Sequence, residues 1–533
     1  MRKCPEGKEG EKSTKGVSGF HGAKRTREPT KCRGQFAKSR GSAQPPGLVP
    51  STQSRCGIRC DDPLPRMLRV LLLLLTLALL VSEAQCAANL PPGTRFIMSH
   101  FGADGGGGDE RLYISISPDG VNWTALNNGQ PVWQPAGWAP FGNVVRDPSI
   151  IFANGFYWVV FTSGNYGHHA SFGLVKSADL VNWTFVQEVL MSVPFTNDPL
   201  TWSPIFYHDL ETGVHVFVAF SRINGSQYNL IPDMTIYELH PMNFDFTSWS
   251  VPEKLKLPFA NTNEFYVWRE GPTYHAIYVV FPGGYWVHST ASSLTGVWTG
   301  TQNLGRNSME GGMMLRRPEG GYRFYVEPGN GGTPPGFVFF DLDETMTPLT
   351  HAQPLKATVP MRNGKMIAAP NTTTYSQWQQ LFLADLPADQ QRPESDPDQD
   401  GQINLHEFAN GAHPKLSSQY GLPTPVFSSR RQEGKLRAVR YRRLMSAANV
   451  SRAFEASHDL KTWEDQQFSS SSRTLFTDGT ETWDSFDGYS GDPSLTRFAR
   501  LRVTLLNPLA PLLEPAAVRR PPPSRPRLRA SRR

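Results

Sequence analysis

Polar and apolar positions along residues 94–374 follow the period of strands, with no convincing helical period. Arg146-Asp147-Pro148-Ser149-Ile150-Ile151-Phe152 leads through Ala153-Asn154-Gly155 into Phe156-Tyr157-Trp158-Val159-Val160-Phe161. Two β-branched and aromatic runs joined by Asn-Gly predict a hairpin with a tight turn. One carboxylate, Asp147, stands at the head of the first run. A charge opening an apolar strand is costly unless it is hydrated or has a task. A solvated turn or capping residue is the simpler reading of Asp147 taken alone.

The pattern recurs. Ser117-Pro-Asp-Gly-Val-Asn-Trp123, Ser177-Ala-Asp-Leu-Val-Asn-Trp183 and Ser292-Ser-Leu-Thr-Gly-Val-Trp298 share one shape, with a looser copy ending at Trp249. The tryptophans lie 60, 66 and 49 residues apart, and such spacing with several strands per unit predicts propeller blades. Blades are expected to start at Asp147, Trp202, Asn263 and Glu310. The fifth would pair Arg362-Asn363-Gly364-Lys365-Met366-Ile367 with the early strands Arg95 to Met98 and Leu112 to Ser117, leaving no free sheet edge. The fold class expected is all-β: a five-bladed β-propeller over 94–385 and a small β-sandwich-like domain over 420–506.

Charge is unevenly distributed along the chain. Residues 1–66 hold 15 Lys/Arg against 6 Asp/Glu, and 507–533 hold 7 Arg against one Glu. With a total of +6, the body is left at −9, so a nucleic-acid partner has no support. Met67-Leu68-Arg69, the apolar run Val70 to Val81 and the small residues near Ala84 to Ala87 describe a secretory signal over 67–87. The working start is therefore expected at Met67, after a disordered basic leader, 1–66, and the tail 507–533 is expected to be disordered too. The product is expected outside the cytoplasm, secreted or periplasmic, without stable membrane association after cleavage. Cys4, Cys32, Cys56, Cys60 and Cys86 all precede the signal's exit or lie at it, so the body must be stable without disulfides.

The triplets Arg146-Asp147-Pro148, Trp202-Ser203-Pro204, Glu310-Gly311-Gly312 and Arg362-Asn363-Gly364 carry a family resemblance. In their order and spacing, residues 94–385 resemble the five-bladed propeller of family-43 glycoside hydrolases: arabinofuranosidases, xylosidases and arabinanases. The family's patterns read Trp-Ala-Pro, Glu-Gly-Pro and Arg-His-Gly at the last three, so each departs slightly. The resemblance implies Asp147 as general base and Glu310 as general acid of an inverting hydrolysis. It also implies a third carboxylate at the head of blade three that tunes the acid. Laying blade three over blade one puts Asn263 at that position, with Glu264 pointing the other way. Asn263 carries no charge, which weakens the expectation of full activity. Asn363 likewise replaces the family's central His. Glu270-Gly271-Pro272 spells the acid motif literally, but flanking strand runs put it in a hairpin turn on the rim.

Trp202 and Arg146 are expected at the substrate, with Trp138 a weaker stacking candidate; His168-His169 is read as a loop pair. The Asn-Trp-Thr sequons at 122 and 182 are read as turn chemistry. Farther on, residues 386–414 form a linker around a twelve-position calcium loop. Asp396, Asp398 and Asp400 fall at positions 1, 3 and 5, Gly401 at 6, Gln402 at 7, Asn404 at 9 and Glu407 at 12. Pro393 argues against an entering helix, and the loop resembles those of dockerin and thrombospondin-type-3 segments. A structural Ca2+ is expected there, and no cofactor for the chemistry. The expected product is a monomeric glycosidase that cleaves arabinosyl or xylosyl linkages of polysaccharides, with a non-catalytic carbohydrate-binding propeller as the rival.

Overall fold

The computed structural model describes residues 90–102, 109–135, 144–163, 171–191, 199–222, 234–305, 309–328, 336–417, 422–427, 436–466, 469–486 and 498–506. The leader, the signal segment, the basic tail and all five cysteines lie outside them.

Chain order begins with β1 (Phe96–Phe101), β2 (Tyr113–Ser117) and β3 (Asn122–Ala125). Four antiparallel meanders follow. They are β4 (Arg146–Ala153), β5 (Phe156–Thr162), β6 (Ser171–Ser177), β7 (Trp183–Leu190); then β8 (Pro199–Asp209), β9 (Gly213–Arg222), β10 (Thr235–Leu239), β11 (Glu253–Lys254). The third is β12 (Thr262–Glu270), β13 (Thr273–Val280), β14 (Tyr285–Ala291), β15 (Thr299–Gly305). The fourth is β16 (Met309–Arg316), β17 (Tyr322–Pro328), β18 (Val338–Leu342), β19 (Gln353–Pro354). The fifth sheet takes β20 (Lys356–Ala357) and β21 (Arg362–Ala368) back to the first strands, in the order β20-β3-β2-β1-β21. The expected pairing of the Arg362 strand with the Arg95 region is present as Phe96↔Ala368 through Phe101↔Arg362.

The leading strands β4, β8, β12, β16 and β21 each pack against the next, and β21 packs against β4. Apolar clusters fill the gaps between neighbouring sheets. Trp158 and Val160 meet Phe206 and Val218; Phe217 meets Phe265 and Tyr278; Trp286 meets Phe324; Met313 and Tyr325 meet Phe96 and Trp123; Ile97 and Ile114 meet Val159 and Phe161. Local chemistry sets the turns. Asn154 and Gly155 both have positive φ (55° and 77°), which a two-residue type I′ hairpin demands. In the Ser-x-Asp repeat, Asp119 Oδ1 accepts from the amides of Val121 and Asn122, and Asn122 Nδ2 donates to Asp119 Oδ2. Asp179 and Asn182 repeat these bonds, so the sequon amides serve the turns.

Beyond β21 lie α1 (Tyr375–Phe382) and α2 (Asn404–Asn410), and then β22 (Thr424–Phe427), β23 (Leu436–Leu444), β24 (Val450–Ser457), β25 (Glu464–Gln466), β26 (Ser469–Leu475), β27 (Thr480–Phe486) and β28 (Phe498–Leu505). These strands form two sheets, β22-β23-β27-β26 and β25-β24-β28, with Tyr441, Phe454 and Leu501 packed together. The β26–β27 hairpin reaches the sheets that precede α1. Thr477 N donates to Arg316 O at 2.9 Å, Arg95 Nη1 donates to Asp478 O at 3.1 Å, and Leu475 packs with Met313 and Met366.

Gly312 shows how tightly the sheets meet. A Cβ there would stand 2.2 Å from Trp286 Cη2, and Trp286 is fully buried. Gly300, on β15, has nothing within 4 Å of the same position. Gly312→Ala is expected to cost about 1–3 kcal/mol or more through overpacking. Gly300→Ala, at φ +75°, should cost about 1–2 kcal/mol through its backbone alone. Chemical denaturation of the two variants checks this: a Gly312→Ala protein as stable as wild type would contradict the packing.

Candidate active site

Each leading strand carries the same irregularity. Between Arg146 and Ser149, Trp202 and Ile205, Asn263 and Tyr266, and Glu310 and Met313, three steps along the leading strand face two on its neighbour. β21 does the same between Arg362 and Lys365, opposite Phe101 and Ser99. The extra residue is a β-bulge, which re-aims side chains. It falls at the same place five times. Arg146, Trp202, Asn263, Glu310 and Arg362 are therefore equivalent, and so are Asp147, Ser203, Glu264, Gly311 and Asn363. The second set all have positive φ: 50°, 45°, 56°, 69° and 33°. Four of these five are not glycine, and such a conformation costs of order 1–3 kcal/mol at each.

The second set forms a hydrogen-bonded circuit. Thr162 Oγ1 donates to Asp147 Oδ2 at 2.8 Å and accepts from Ser203 N at 3.0 Å. Ser203 Oγ donates to Glu264 Oε1 at 2.8 Å. Asn363 Nδ2 closes the loop, donating to Glu264 Oε1 at 3.2 Å and to Asp147 Oδ1 at 2.6 Å. Gly311 N donates to Glu264 Oε2 at 3.2 Å, and a Cβ on Gly311 would meet Asn363 Oδ1 at 3.0 Å. Lys365 stands beneath with Nζ 3.4 Å from Asn363 Oδ1 and 3.9 Å from Glu264 Oε2. Glu327, buried, accepts from Asn363 N at 2.8 Å and pairs with Arg362.

This circuit corrects the reading of the third carboxylate. Asn263 is equivalent to Arg146, and Glu264, not Asn263, holds the place equivalent to Asp147. The one-residue bulge reverses which side chain faces the centre. The signal was present: set triplet under triplet, Asn263-Glu264-Phe265 aligns its second member with Asp147, Ser203, Gly311 and Asn363. Thr162, Lys365 and Glu327 were missed as well, and only their burial beside the circuit marks them.

Electrostatics follow from the crowding. Burial and the Glu264 carboxylate push Asp147 up to about 6, against the Thr162 hydrogen bond and the Arg146 and Lys365 charges. Burial pulls the Lys365 ammonium below the ordinary lysine value, opposed by Glu264, Asp147, Glu327 and Glu310. Glu310 differs in exposure, with its side chain 48% accessible and Oε2 3.9 Å from Arg362 Nη2. Arg146 is held by Glu110 (2.8 and 2.6 Å to Oε1), and both Arg146 and Arg362 lie over the Phe101 ring. Trp202, half-buried against the cluster around Phe217 and Phe265, donates its indole N–H to Ser221 Oγ at 3.1 Å. Glu270 sits at the β12–β13 turn, accepting from Trp268 and Tyr322, far along the strand from Glu264. Trp138 and His168-His169 lie outside the described residues.

The 396–407 loop gathers oxygen. Ligand atoms of Asp396, Asp398 and Asp400 lie within 4.8 Å of one another, and Asp396 Oδ2 accepts from Gly401 N, whose φ is 91°. Glu407, on α2, is fully buried, and neither carboxylate oxygen has a hydrogen-bond partner. Burial, then the charges of Asp398, Asp400 and Asp396, push Glu407 up to about 8. Buried acceptors with no donor are what a hard cation would satisfy, so the residues present fit Ca2+. Asn404 is held by its amide, Nδ2 donating to Gln390 O and Arg392 O at 2.8 Å.

Residues 92–340 match a family model described as a probable glycosyl hydrolase domain, related to family 43. Similar solved structures include the α-L-arabinanase of Cellvibrio cellulosa complexed with arabinohexaose (15% identity, 50% of this chain and 93% of that one, TM-score 0.36). Others are the endo-arabinase of Bacteroides thetaiotaomicron (15%, 50% and 96%, 0.36) and a thermostable family-43 glycoside hydrolase (11%, 50% and 93%, 0.38). No curated protein matches the chain.

The Asp147 shift has a stability consequence. A carboxyl whose folded pKa of about 6 exceeds its ordinary 3.8 stabilises fully below 3.8, and that contribution is lost as pH rises through 6. Asp147→Asn can keep both hydrogen bonds of the circuit while removing the charge. It is expected to raise stability at pH 8 by roughly 1–3 kcal/mol and to change it little near pH 3. Melting curves at the two pH values measure this, and an equal effect at both would contradict the raised pKa of the half-buried Asp147. Over residues 92–340, which hold Asp147, Ser203, Glu264 and Glu310 of the site, the chain is thus similar to a probable glycosyl hydrolase domain.

Proposed function

We propose that this chain is an inverting glycoside hydrolase, and that its five sheets are the blades of a closed five-bladed propeller whose centre holds the reacting sugar. The observation that carries the proposal is the circuit joining Asp147, Glu264 and Asn363 beside the exposed Glu310. Hydrolysis with inversion needs a base that deprotonates water and an acid that protonates the leaving oxygen from the other side. Asp147 is assigned the base: above pH 6 it is ionised, and its bonds to Thr162 and Asn363 fix its direction. Glu310 is assigned the acid, being accessible to a leaving group and adjacent to the Gly311 amide that Glu264 binds. Glu264 is a positioning residue whose charge raises Asp147. Arg146, Trp202, Asn263 and Arg362, the equivalents of Glu310 on the other sheets, would meet the sugar's hydroxyls and ring face. The rival reading as a carbohydrate-binding propeller drew on the departures at 263 and 363; Glu264 answers the first, while Asn363 remains a departure.

Arabinosyl and xylosyl linkages of exported polysaccharides are the proposed substrates, in keeping with the secretory signal read in residues 67–87. A panel of nitrophenyl glycosides tests the class. Asp147→Asn and Glu310→Gln are each expected to lose at least about a hundredfold in kcat/KM. Glu264→Gln removes a like charge, so Asp147 should ionise at lower pH and the acidic limb of the pH–rate profile should move down. An acidic limb that stays in place or moves up in a folded Glu264→Gln protein would refute its assigned influence. Loss of activity in Glu270→Gln alone would refute the whole register.

We further propose that Asp396, Asp398, Asp400, the Gln402 carbonyl and Glu407 hold a structural Ca2+, with Asn404 bracing the loop. The ion would supply the positive charge that the buried Glu407 lacks. α2 carries Phe408 into the cluster with Tyr375, Trp378 and Leu444, so the loop ties the linker to the C-terminal sheets. Added Ca2+ is expected to raise the melting temperature and to protect 396–412 from hydrogen exchange, and Glu407→Gln to abolish both effects. Glycosidase activity should survive chelation. Complete loss of activity on chelation, restored by Ca2+, would instead point to an ion at the centre of the sheets.

A further inference from the structure

A second cluster of ligating side chains lies on the β8–β11 sheet, apart from the circuit and from the acidic loop. The pairing Glu238↔Phe217 and Leu239↔Val216, continued by one residue, sets His240 opposite His215. Alternate residues share a face of a sheet, so His215, Glu238 and His240 all project to one side. There His215 Nδ1 stands 2.6 Å from Glu238 Oε1, and His240 Nδ1 stands 3.2 Å from the same oxygen. His215 and Glu238 are buried, while the His240 side chain is 44% accessible.

A buried carboxylate is costly without a countercharge. Among the described residues neither Lys nor Arg pairs with Glu238, and only the two imidazoles approach it. We infer that His215, Glu238 and His240 bind a divalent transition ion, with zinc the best match to two imidazoles and a carboxylate. Metal–ligand bonds of about 2.0–2.1 Å in a tetrahedron hold neighbouring ligand atoms about 3.3 Å apart. Here the two histidine–carboxylate separations are 2.6 and 3.2 Å, so each needs to open by well under an ångström, and all three ligand atoms lie within 4.8 Å of one another. The other nitrogen of His215 is already braced: Nε2 lies 2.8 Å from Thr212 Oγ1, and the Thr212 amide donates to Asp209 Oδ1 at 3.0 Å. Metal-bound imidazoles are commonly oriented in this way through their second nitrogen. The accessible His240 opens the fourth position to water and gives the ion its way in. The donor set also separates this site from the all-oxygen loop at 396–407, which suits Ca2+ and not zinc.

The test uses the full chain with its cysteines alkylated and the acidic loop saturated with Ca2+, titrated with zinc chloride by calorimetry. Wild type is expected to bind one zinc more than His240→Ala, with His215→Ala matching His240→Ala. Thr212→Val should keep the site but weaken it about tenfold. Because His240 is half exposed, the His240→Ala protein should melt as wild type does without zinc, and only wild type should gain melting temperature on adding it. X-ray anomalous scattering at the zinc edge should peak between His215 and His240. Equal stoichiometry and affinity in wild type and His240→Ala, or an anomalous peak elsewhere, would overturn the inference.

Discussion

Like charges at the meeting point of five sheets are the constraint that the rest of the molecule answers. Asp147, Glu264 and Glu327 are carboxylates within one hydrogen-bonded neighbourhood, and Glu310 borders it. Carboxylates so placed repel one another and lose hydration, and the rise of Asp147 records both effects. The fold offsets them in two ways. Neutral donors from Thr162, Ser203, Asn363 and the Gly311 amide fill the oxygens' acceptor positions, and Lys365 and Arg362 bring positive charge. A charge-rich centre can be held only by a rigid surround, which the five apolar clusters between the sheets provide.

The C-terminal sheets also bear on this constraint. A cavity of about 90 Å3 runs beside the leading strands, lined by Ile205, Tyr266, Lys365 and Met366 and also by Leu475 and Glu481. Leu475 and Glu481 belong to the β26–β27 hairpin, so residues far along the chain finish the wall near Lys365. Shielding from water strengthens each interaction of the ammonium with its carboxylates. The hairpin is held by Thr477 N at Arg316 O, by the Arg95 guanidinium at Asp478 O and by the Thr474 hydroxyl at Arg269 O, so strand geometry and side-chain donors share the attachment.

Much of the architecture was legible because it rests on local rules. Asn154-Gly155 announces its turn, the Ser-x-Asp copies announce theirs, and the pairing of the Arg362 strand with the chain's beginning follows from counting strands. The centre was half legible. Asp147 and Glu310 stand in triplets that can be read directly, but Asn263-Glu264-Phe265 lacks the Pro or Gly that closes the other four (Pro148, Pro204, Gly312, Gly364), which hides its register. Strand alternation assumes two residues per repeat, and one inserted residue exchanges inward for outward. Nothing in the composition of Asn263-Glu264-Phe265 marks the left-handed φ of 56° at Glu264, since glutamate has no preference for it. Thr162 and Lys365 were illegible for another reason: Thr162 meets Asp147 and Ser203, 15 and 41 residues away, and Lys365 meets Glu264 from another sheet, so only packing brings them together.

The five positive φ values define one backbone position that recurs on every leading strand. Asp, Ser, Glu, Gly and Asn occupy one equivalent position, so the bulge accepts chemically different side chains while its backbone stays the same. Each non-glycine residue there is strained, and the strain persists because its side chain is hydrogen-bonded in place. Gly311 makes no such bond, having no side chain, and a larger residue would strike Asn363. The empty volume over Gly311 is thus occupied by Asn363 Oδ1, and this lets one amide reach both Asp147 and Glu264. A histidine at 363, as in the family resembled, would need a different neighbour arrangement to serve both acids. Asn363 and Lys365 are best understood as one unit: a short neutral amide between two carboxylates and an ammonium behind it, with half-buried Asp147 and exposed Glu310 left as the carboxylates of the group that solvent reaches.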